Sequence, residues 1–235
     1  MNRIGVVCVL MLVGAAGAIA ADNRAPSAAK NHQWGKVLPE QLEISKLSGD
    51  VERGREAFFG CRGCHKQDAG GILDGTYPRL TGQHASVVIK QVTEVRAGIR
   101  SNPKMAPFSS EHAVTPQEIA DIAVFIEQAQ SSRENGKGPG LALNRGKQLY
   151  QSGKCASCHG EYGEGIASKA YPVVASQHFG YLVRELDFIQ KGTRGNSHPD
   201  MVKAIADYTR EDMEAVADYM SRMPDYRKVA QARPK

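Results

Sequence analysis

Aromatic residues are scarce in this sequence, which limits the side-chain volume available for a core. Phe, Trp and Tyr make up 6% of the 235 residues, and Trp34 is the single tryptophan. Charged residues at 23% and apolar residues at 41% are ordinary for a globular chain, so disorder is not predicted. The length suits one large domain or two small ones. Small domains with few aromatic side chains need core volume from elsewhere, which favours a buried cofactor.

The sequence also lacks a concentration of positive charge. The formal net charge is +5, and it falls to +4 when Arg3 is lost with the first twenty residues. The basic residues are scattered, and no basic stripe is interleaved with aromatic side chains. We therefore expect no nucleic acid among the partners.

Long apolar runs are absent except at the very start. Arg3 gives a positive beginning, Ile4 to Ala20 is apolar and small, and Ala18-Ile19-Ala20 fits a signal-peptidase site. An uncleaved membrane anchor is the alternative, because the apolar stretch approaches a spanning length. The polar run Ala21-Asp22-Asn23-Arg24 favours cleavage. Residues 1–20 are therefore predicted to be a signal peptide, and the mature chain is expected outside the cytoplasm.

Cysteine is restricted to a very particular placement. Cys8 leaves with the signal peptide, and the other four cysteines form two pairs, Cys61/Cys64 and Cys155/Cys158. An exported protein with four cysteines would ordinarily suggest disulfides. Here each pair is followed directly by a histidine, which points to a different use.

The two motifs, Cys61-Arg62-Gly63-Cys64-His65 and Cys155-Ala156-Ser157-Cys158-His159, have the form Cys-x-x-Cys-His. This spacing lets one helical turn present two thiols to the vinyl groups on one edge of a porphyrin, with the histidine aimed at the iron. A thioredoxin-type pair would need a βαβ context, and a four-cysteine zinc site would leave the two histidines unexplained. The motifs predict two covalently bound haem c groups, with His65 and His159 as iron ligands.

The chain contains a duplication. Cys61 and Cys155, Tyr77-Pro78 and Tyr171-Pro172, and Gln83-His84 and Gln177-His178 are each separated by 94 residues. A Pro-x-Met sequence ending at Met105 returns at Met201, now 96 residues later. Landmarks in one order at nearly one spacing indicate two copies of one domain.

Each copy is predicted to be helical around its haem motif, and no stretch alternates in the manner of a strand. In the first copy, helices are expected over Val51–Phe59 with Asp50 as the cap, over 85–97, and after the cap Thr115. In the second copy they are expected over 145–151, over 179–190 and after the cap Thr209. The fold class is therefore all-α. The predicted divisions are a signal peptide at 1–20, an N-terminal arm at 21–47, domain 1 at 48–130, a linker at 131–140, domain 2 at 141–226 and a tail at 227–235. The arm is expected to be extended and to lie on domain 1.

The second axial ligand of each iron is predicted to be a methionine. Met105 is the only methionine of the first copy after signal removal, and prolines on both sides stiffen its loop. Met201 is its repeat partner. Met213, Met220 and Met223, on or just beyond the last helix, are expected to fill the core.

Three histidines compete with these methionines. His84 and His178 also repeat, but each stands at a predicted helix start, where it is expected to cap the helix or to shape the pocket wall. His198 lies three residues before Met201 and is an alternative ligand for the second iron. His112 and His32 have no repeat partner, and His112 is expected on the surface.

Taken together, the haem motifs, the segments 77–83 and 171–177 and the two methionine loops resemble the dihaem cytochrome c4 family over residues 48–224. The resemblance implies two tandem class I cytochrome c domains, each with a His/Met-ligated haem, in the bacterial periplasm. Two features depart from the family pattern: the arm at 21–50 is longer, and Ser176 stands where glycine is favoured.

The resemblance implies a one-electron carrier, not an enzyme, with redox proteins as partners. The expected donor is a quinol-cytochrome c reductase or a dehydrogenase, and the expected acceptor is a terminal oxidase or another acceptor; peripheral membrane association stays open. Alternatives are a dihaem enzyme, either a sulfur-compound oxidase or a peroxidase, and a fixed subunit of a membrane complex. Sulfur-oxidising dihaem enzymes often use a cysteine ligand, and no cysteine remains here for that role.

Overall fold

The computed structural model describes residues 37–131 and 133–227. The predicted signal peptide, most of the predicted arm with His32 and Trp34, and residues 228–235 of the tail lie outside the described residues. In the described ranges the chain is helical, and its one extended pairing is an isolated bridge between Ile166 and Tyr171. The helices are α1 (Pro39–Ile44), α2 (Val51–Ala57), α3 (Arg62–His65), α4 (Ala85–Arg96), α5 (Ala106–Ser109), α6 (Pro116–Gln128), α7 (Leu143–Ser152), α8 (Cys155–His159), α9 (Phe179–Gln190), α10 (Pro199–Ala204) and α11 (Arg210–Arg222).

Local sequence signals account for where the main helices begin. The Asp50 side chain accepts from the backbone N–H of Arg53 at the start of α2. Thr115 and Glu118 form the reciprocal capping box of α6, and Thr209 accepts from the N–H of Asp212 at the start of α11. The structure ends α2 at Ala57, earlier than predicted, because a 3-10 turn at Phe58–Gly60 leads into the first haem motif.

Each copy packs its first helix against its last helix. A side chain at Gly54 of α2 would place its Cβ 2.1 Å from the carbonyl oxygen of Asp121 in α6, and at Gly146 of α7 the corresponding distance to Ala215 in α11 is 2.0 Å. Only glycine permits backbones to approach this closely. The equivalent residues therefore fix the same helix crossing in both domains.

Each domain has its own apolar core. In domain 2 the buried cluster includes Met213, Met220 and Met223, which confirms the prediction that these methionines fill the core. In domain 1 the cluster is built around Phe58, Phe125 and Ile126. The fold is therefore two tandem helical domains, as the duplication predicts.

The described part of the N-terminal arm lies on domain 1, as predicted, but its residues 39–44 form a helix where an extended segment was expected. Ile44 of α1 is fully buried, and the side-chain amide of Gln41 donates to the Thr93 hydroxyl of α4 at 2.9 Å. Arg96 of α4 pairs with Glu40. This helix has six residues, fewer than two turns, and is too short for its apolar spacing to predict it.

The two domains meet in a contact that follows the internal repeat. Gln83 of domain 1 accepts from the N–H of Val173 at 2.9 Å and donates to its carbonyl at 3.1 Å. Gln177 of domain 2 does the same to Arg79, at 2.9 and 2.8 Å. Because Arg79 and Val173 are themselves repeat equivalents, the interface has approximate two-fold symmetry.

His84 and His178 belong to this interface. Nε2 of His84 lies 2.7 Å from the carbonyl oxygen of Glu164, and Nε2 of His178 lies 2.8 Å from that of Gly70. Neither side chain makes a capping hydrogen bond at its helix. Of the two expected roles, helix capping is therefore wrong, because their side chains cross to the other domain instead; a role in the pocket wall stays a prediction.

Residues 133–140 of the linker run without helix along domain 2. Asn135 donates to the carbonyls of Gln177 and Ser221, and Gly140 N–H donates to the Asp218 carboxylate.

Ser176 has a positive φ of 55°, the conformation that Gly82 adopts in domain 1 at 78°. That backbone shape explains why glycine suits the position. The Ser176 hydroxyl donates to the carbonyl of Met223 at 2.8 Å.

Candidate haem sites

Each Cys-x-x-Cys-His motif forms a single helical turn. In domain 1 the N–H groups of Cys64 and His65 both bond to the carbonyl of Cys61, and in domain 2 the motif is the whole of α8. All four cysteines are half-buried, and none of them is paired in a disulfide. The turn places both sulfurs and the histidine of each motif together, as covalent haem attachment needs.

The alternative uses of these cysteines lack support in the geometry. Burial raises the pKa of the Cys61 and Cys155 thiols to about 11 in each case. Such protonated thiols are poor redox nucleophiles, which argues against a thioredoxin-type role. Within residues 37–131 and 133–227, no cluster of three or more His, Cys, Asp or Glu side chains could hold a metal ion, so the two pairs do not assemble a shared zinc site.

The proximal histidines are oriented by the Tyr-Pro segments. Nδ1 of His65 lies 3.3 Å from the carbonyl oxygen of Pro78, and Nδ1 of His159 lies 3.0 Å from that of Pro172. A histidine that donates through one nitrogen to a carbonyl presents the other, Nε2, to a metal. The sequence showed that the Tyr-Pro segment repeats, but not that its proline carbonyl orients the motif histidine.

Burial also sets the charge of these two histidines. It lowers the pKa of His65 and His159, and the nearby guanidinium groups of Arg100 and Arg194 respectively lower it further. Both imidazoles are therefore held in the neutral form that binds iron.

The methionine loops lie beside the same Tyr-Pro segments. In domain 1 the Tyr77 ring is 6.1 Å from the His65 ring, and the Lys104 ammonium, next to Met105, is 5.7 Å from Tyr77. In domain 2 the Tyr171 ring is 6.4 Å from the ring of His198, in the Met201 loop. Met105 and Met201 are both partly buried, and Met201 packs against the domain 2 core. Each loop thus meets the Tyr-Pro segment that also contacts the motif histidine of its own copy.

His198, the alternative ligand for the second iron, is engaged elsewhere. Its Nδ1 accepts from the backbone N–H of Asp200 at 3.2 Å and so caps α10. Its side chain is 45% exposed. This placement favours Met201 over His198 as the ligand. His112 is exposed, as expected.

A buried charged cluster lies between the two sites. Arg194 pairs with Glu185 at 3.0 Å, Arg100 approaches the same carboxylate at 3.4 Å, and Glu94 pairs with Lys90 at 2.7 Å. These three cations face two carboxylates, and the partly exposed Arg184 also lies 3.7 Å from Glu185. Buried charges without compensation are costly.

Two buried polar atoms in the described residues have no hydrogen-bond partner, Nε of Arg100 and Oγ of Ser197. A haem carries two propionate groups, which are anions that accept hydrogen bonds. The surplus cation and the unpaired donors fit such anions, so the residues present suit haem as the cofactor.

No helix in the described part of the chain is long and apolar enough to cross a membrane.

Comparison with known proteins agrees with this architecture. The family model described as cytochrome c matches residues 51–130 and again residues 143–224. The chain is 33% identical over 177 residues to the "Thiosulfate dehydrogenase electron acceptor" of Stutzerimonas stutzeri (strain A1501), covering 71% of this chain and 80% of that protein. It is 27% identical over 196 residues to "Cytochrome c4" of Azotobacter vinelandii, covering 75% and 90%.

Among solved structures, reduced recombinant cytochrome c4 from Pseudomonas stutzeri matches with a TM-score of 0.67 at 24% identity, covering 75% of this chain and all of that one. That likeness supports the fold. Cytochrome c domains bind covalently attached haem c, and this chain has two of them. The chain therefore belongs to the cytochrome c family, as a dihaem electron-transfer protein of the cytochrome c4 type.

Proposed function

We propose that the chain is an exported, periplasmic one-electron carrier in which both irons are closed by His/Met ligation. In this assignment the thioethers are formed by Cys61, Cys64, Cys155 and Cys158. The proximal ligands are His65 and His159, and the distal ligands are Met105 and Met201. The observation that supports it most is the duplication of the whole site. Both copies have a carbonyl-oriented histidine and a methionine loop that meets it at the Tyr-Pro segment.

Haem c supplies a one-electron Fe(III)/Fe(II) couple, and methionine with histidine ligation raises its potential and leaves no site for a substrate. The residues of the chain do the rest. Pro78 and Pro172 hold the histidines in the binding tautomer, and Arg100 and Arg194 would hold the propionates between the domains.

The interface supports transfer between the two haems. The charged cluster next to both proximal histidines spans the domain contact, since Arg100 of domain 1 reaches Glu185 of domain 2. The matched glutamine clamps hold the domains in one arrangement. Electrons are expected to enter at one haem and leave from the other.

The donor is proposed to be a periplasmic dehydrogenase or a quinol-cytochrome c reductase, with a terminal oxidase as acceptor. The likeness to the electron acceptor of a thiosulfate dehydrogenase favours a sulfur-compound dehydrogenase as donor. The carrier, and not the dehydrogenase, is the role that this likeness supports.

A redox titration of the purified protein, followed in the visible and near-infrared, tests the proposal. We expect two low-spin haems that stay bound to the polypeptide in acid acetone, with a methionine–iron charge-transfer band whose intensity corresponds to two haems. Thiosulfate alone should not reduce them, whereas thiosulfate with a thiosulfate dehydrogenase should. Rapid stoichiometric carbon monoxide binding, or turnover of thiosulfate or peroxide without a partner, would overturn the carrier assignment.

A further inference from the structure

The duplication allows the two haem-edge faces to be compared position by position. Face 1 is defined as residues 59–66 and 102–108, the haem motif and methionine loop of domain 1. Face 2 is the equivalent set in domain 2, residues 153–160 and 198–204. If the faces had the same role, their exposed residues should have a similar character, as the buried ones do.

Aromatic side chains are exposed on face 1 alone. Phe59 is 65% exposed and Phe108 is 50% exposed. The equivalent positions of face 2 carry Gly153 and Ala204. Single exposed apolar residues are ordinary, but two large aromatic rings flanking one haem motif and its methionine loop indicate a contact surface.

Face 1 also carries more positive charge than face 2. Arg62, Lys66 and Lys104 give it three cations and no carboxylate, while Lys154 and Lys203 of face 2 are offset in part by Asp200. The formal charges are therefore +3 and +1. Both faces carry a net positive charge, and the net charge of face 1 is larger by two.

The cations of face 1 are arranged against its aromatic rings. The Arg62 guanidinium lies 3.6 Å from the centroid of the Phe59 ring, and the Lys104 ammonium lies 5.7 Å from that of Tyr77. Stacking of this kind holds a long side chain in place and reduces the entropy that binding would cost. Arginine beside an aromatic ring is the composition typical of binding hot spots.

The two segments of face 1 belong to one surface because Tyr77 joins them. Its ring lies against His65 on the motif side and against Lys104 on the loop side. The aromatic and basic residues therefore flank the place where haem 1 would be attached. A partner seated there would be within electron-transfer reach of that haem.

We propose that face 1 is the docking surface for an acidic redox protein, and that face 2 is not. This inference rests on the proposed carrier function and adds which haem faces the partner and what that partner presents. Carboxylates of the partner pair with Arg62, Lys66 and Lys104, and an apolar patch over its redox centre covers Phe59 and Phe108. One electron crosses this interface to or from haem 1, and no bond is made or broken. The contact is small and transient, as in other electron-transfer encounters.

The test is an NMR titration of the reduced, nitrogen-15-labelled full-length holoprotein at an ionic strength of about 10 mM, where screening is weak. The probe is zinc-substituted plant plastocyanin, an acidic redox protein made inert by its metal. We expect amide shifts at residues 59–66 and 104–108. The charge reversal R62E/K104E should raise the dissociation constant about tenfold or more, and F59A/F108A should do so without altering the charge.

The matched control is the reversal K154E/K203E on face 2, for which we expect less than about a twofold change. Shifts centred on face 2, an equal effect of the two charge reversals, or no binding at low ionic strength would overturn the proposal. Visible spectra and redox titrations of every variant report the carrier function separately. If a variant that binds plastocyanin weakly keeps two intact haems with unchanged potentials, its docking is impaired while its carrier function is retained.

Discussion

The side-chain amide of Gln177 in domain 2 bonds both backbone polar atoms of Arg79 in domain 1, accepting from its N–H at 2.9 Å and donating to its carbonyl at 2.8 Å. Neighbouring strands of a sheet form the same pair of hydrogen bonds between their backbones, whereas here a single side-chain amide forms both. Because Gln83 repeats it on Val173, the domains are held by reciprocal clamps. Each clamp satisfies backbone groups that the interface would otherwise bury without a partner.

Removing one clamp should loosen the interface. In Gln177→Ala the backbone groups of Arg79 lose both partners, and we expect the unfolding free energy to fall by about 1–3 kcal/mol. Denaturant unfolding of the holoprotein measures this. Gln67→Ala, at an exposed amide of domain 1, is the control and should change stability by less than about 0.5 kcal/mol. Equal midpoints for the two variants would show that the clamp contributes nothing.

The stability of the interface should depend on pH through His178. Nδ1 of His178 accepts from the N–H of Gly136 at 2.9 Å, while Nε2 lies 2.8 Å from the carbonyl of Gly70. A neutral ring protonated at Nε2 satisfies both bonds, whereas a second proton at Nδ1 would face the Gly136 N–H. Burial accordingly lowers the pKa of His178 below its ordinary 6.5.

The sign of the effect follows from proton binding. Between the lowered folded pKa and 6.5 the unfolded chain binds more protons, so the stability from His178 is complete above 6.5 and is lost as pH falls below it. We expect the denaturation midpoint of the holoprotein to decrease from pH 7.5 towards pH 5. His178→Asn should flatten this profile, and His112→Asn, at an exposed site, should not. A profile unchanged by His178→Asn would contradict the assignment.

The sequence predicted the covalent architecture well because haem attachment depends on short, local spacing. A Cys-x-x-Cys-His turn retains its meaning wherever the chain places it, whereas ligation by the Pro-x-Met loops stays a prediction. The helix starts at Asp50, Thr115 and Thr209 were predictable for the same reason, since a cap acts over three residues.

The roles of Pro78 and His178 were not predictable in this way. The carbonyl of Pro78 acts on a histidine thirteen residues earlier, and His178 acts on a carbonyl 108 residues away. A backbone carbonyl has no side-chain signature, and an interface has no local one. The signal available was the repeat itself, because Tyr-Pro and Gln-His recur at the spacing of the haem motifs.

Gly71 offers a test of how the Pro78 carbonyl tunes the first haem. Its φ is 71°, its N–H bonds to the carbonyl of His65, and a Cβ there would lie 2.5 Å from the Pro78 oxygen. Gly71→Ala should therefore push that carbonyl away from His65. Loss of this acceptor makes the imidazole less electron-donating, so we expect the potential of one haem to rise while the other is unchanged. Redox titration resolved by spectrum measures it.

The control for Gly71→Ala is Gly192→Ala. Gly192 has a φ of 70°, and no other atom lies within 4 Å of the position that a Cβ would take, so the variant has the same backbone strain without the clash. Both variants should lose about 1–2 kcal/mol from the left-handed conformation, and only Gly71→Ala should shift a potential. A shift in both, or in neither, would remove Pro78 as the tuning group.

Replacing Met105 or Met201 with Ala tests the proposed ligation of each iron. Either change should open one sixth position while both thioether pairs stay intact. The opened haem should turn high-spin, bind carbon monoxide when reduced and fall in potential, because the thioether that favours Fe(II) is gone. The other haem should keep its spectrum, since its ligands all lie in the other copy.

Met213→Ala is the matched control: Met213 is 2% exposed in the domain 2 core, so its loss should cost about 2–5 kcal/mol of stability without opening an iron. Carbon monoxide spectra and the near-infrared methionine band distinguish these outcomes. If Met201→Ala left the second haem low-spin, His198 would be the next candidate, because it lies in the same loop and could exchange its bond to the Asp200 N–H and its contact with Tyr171 for the iron.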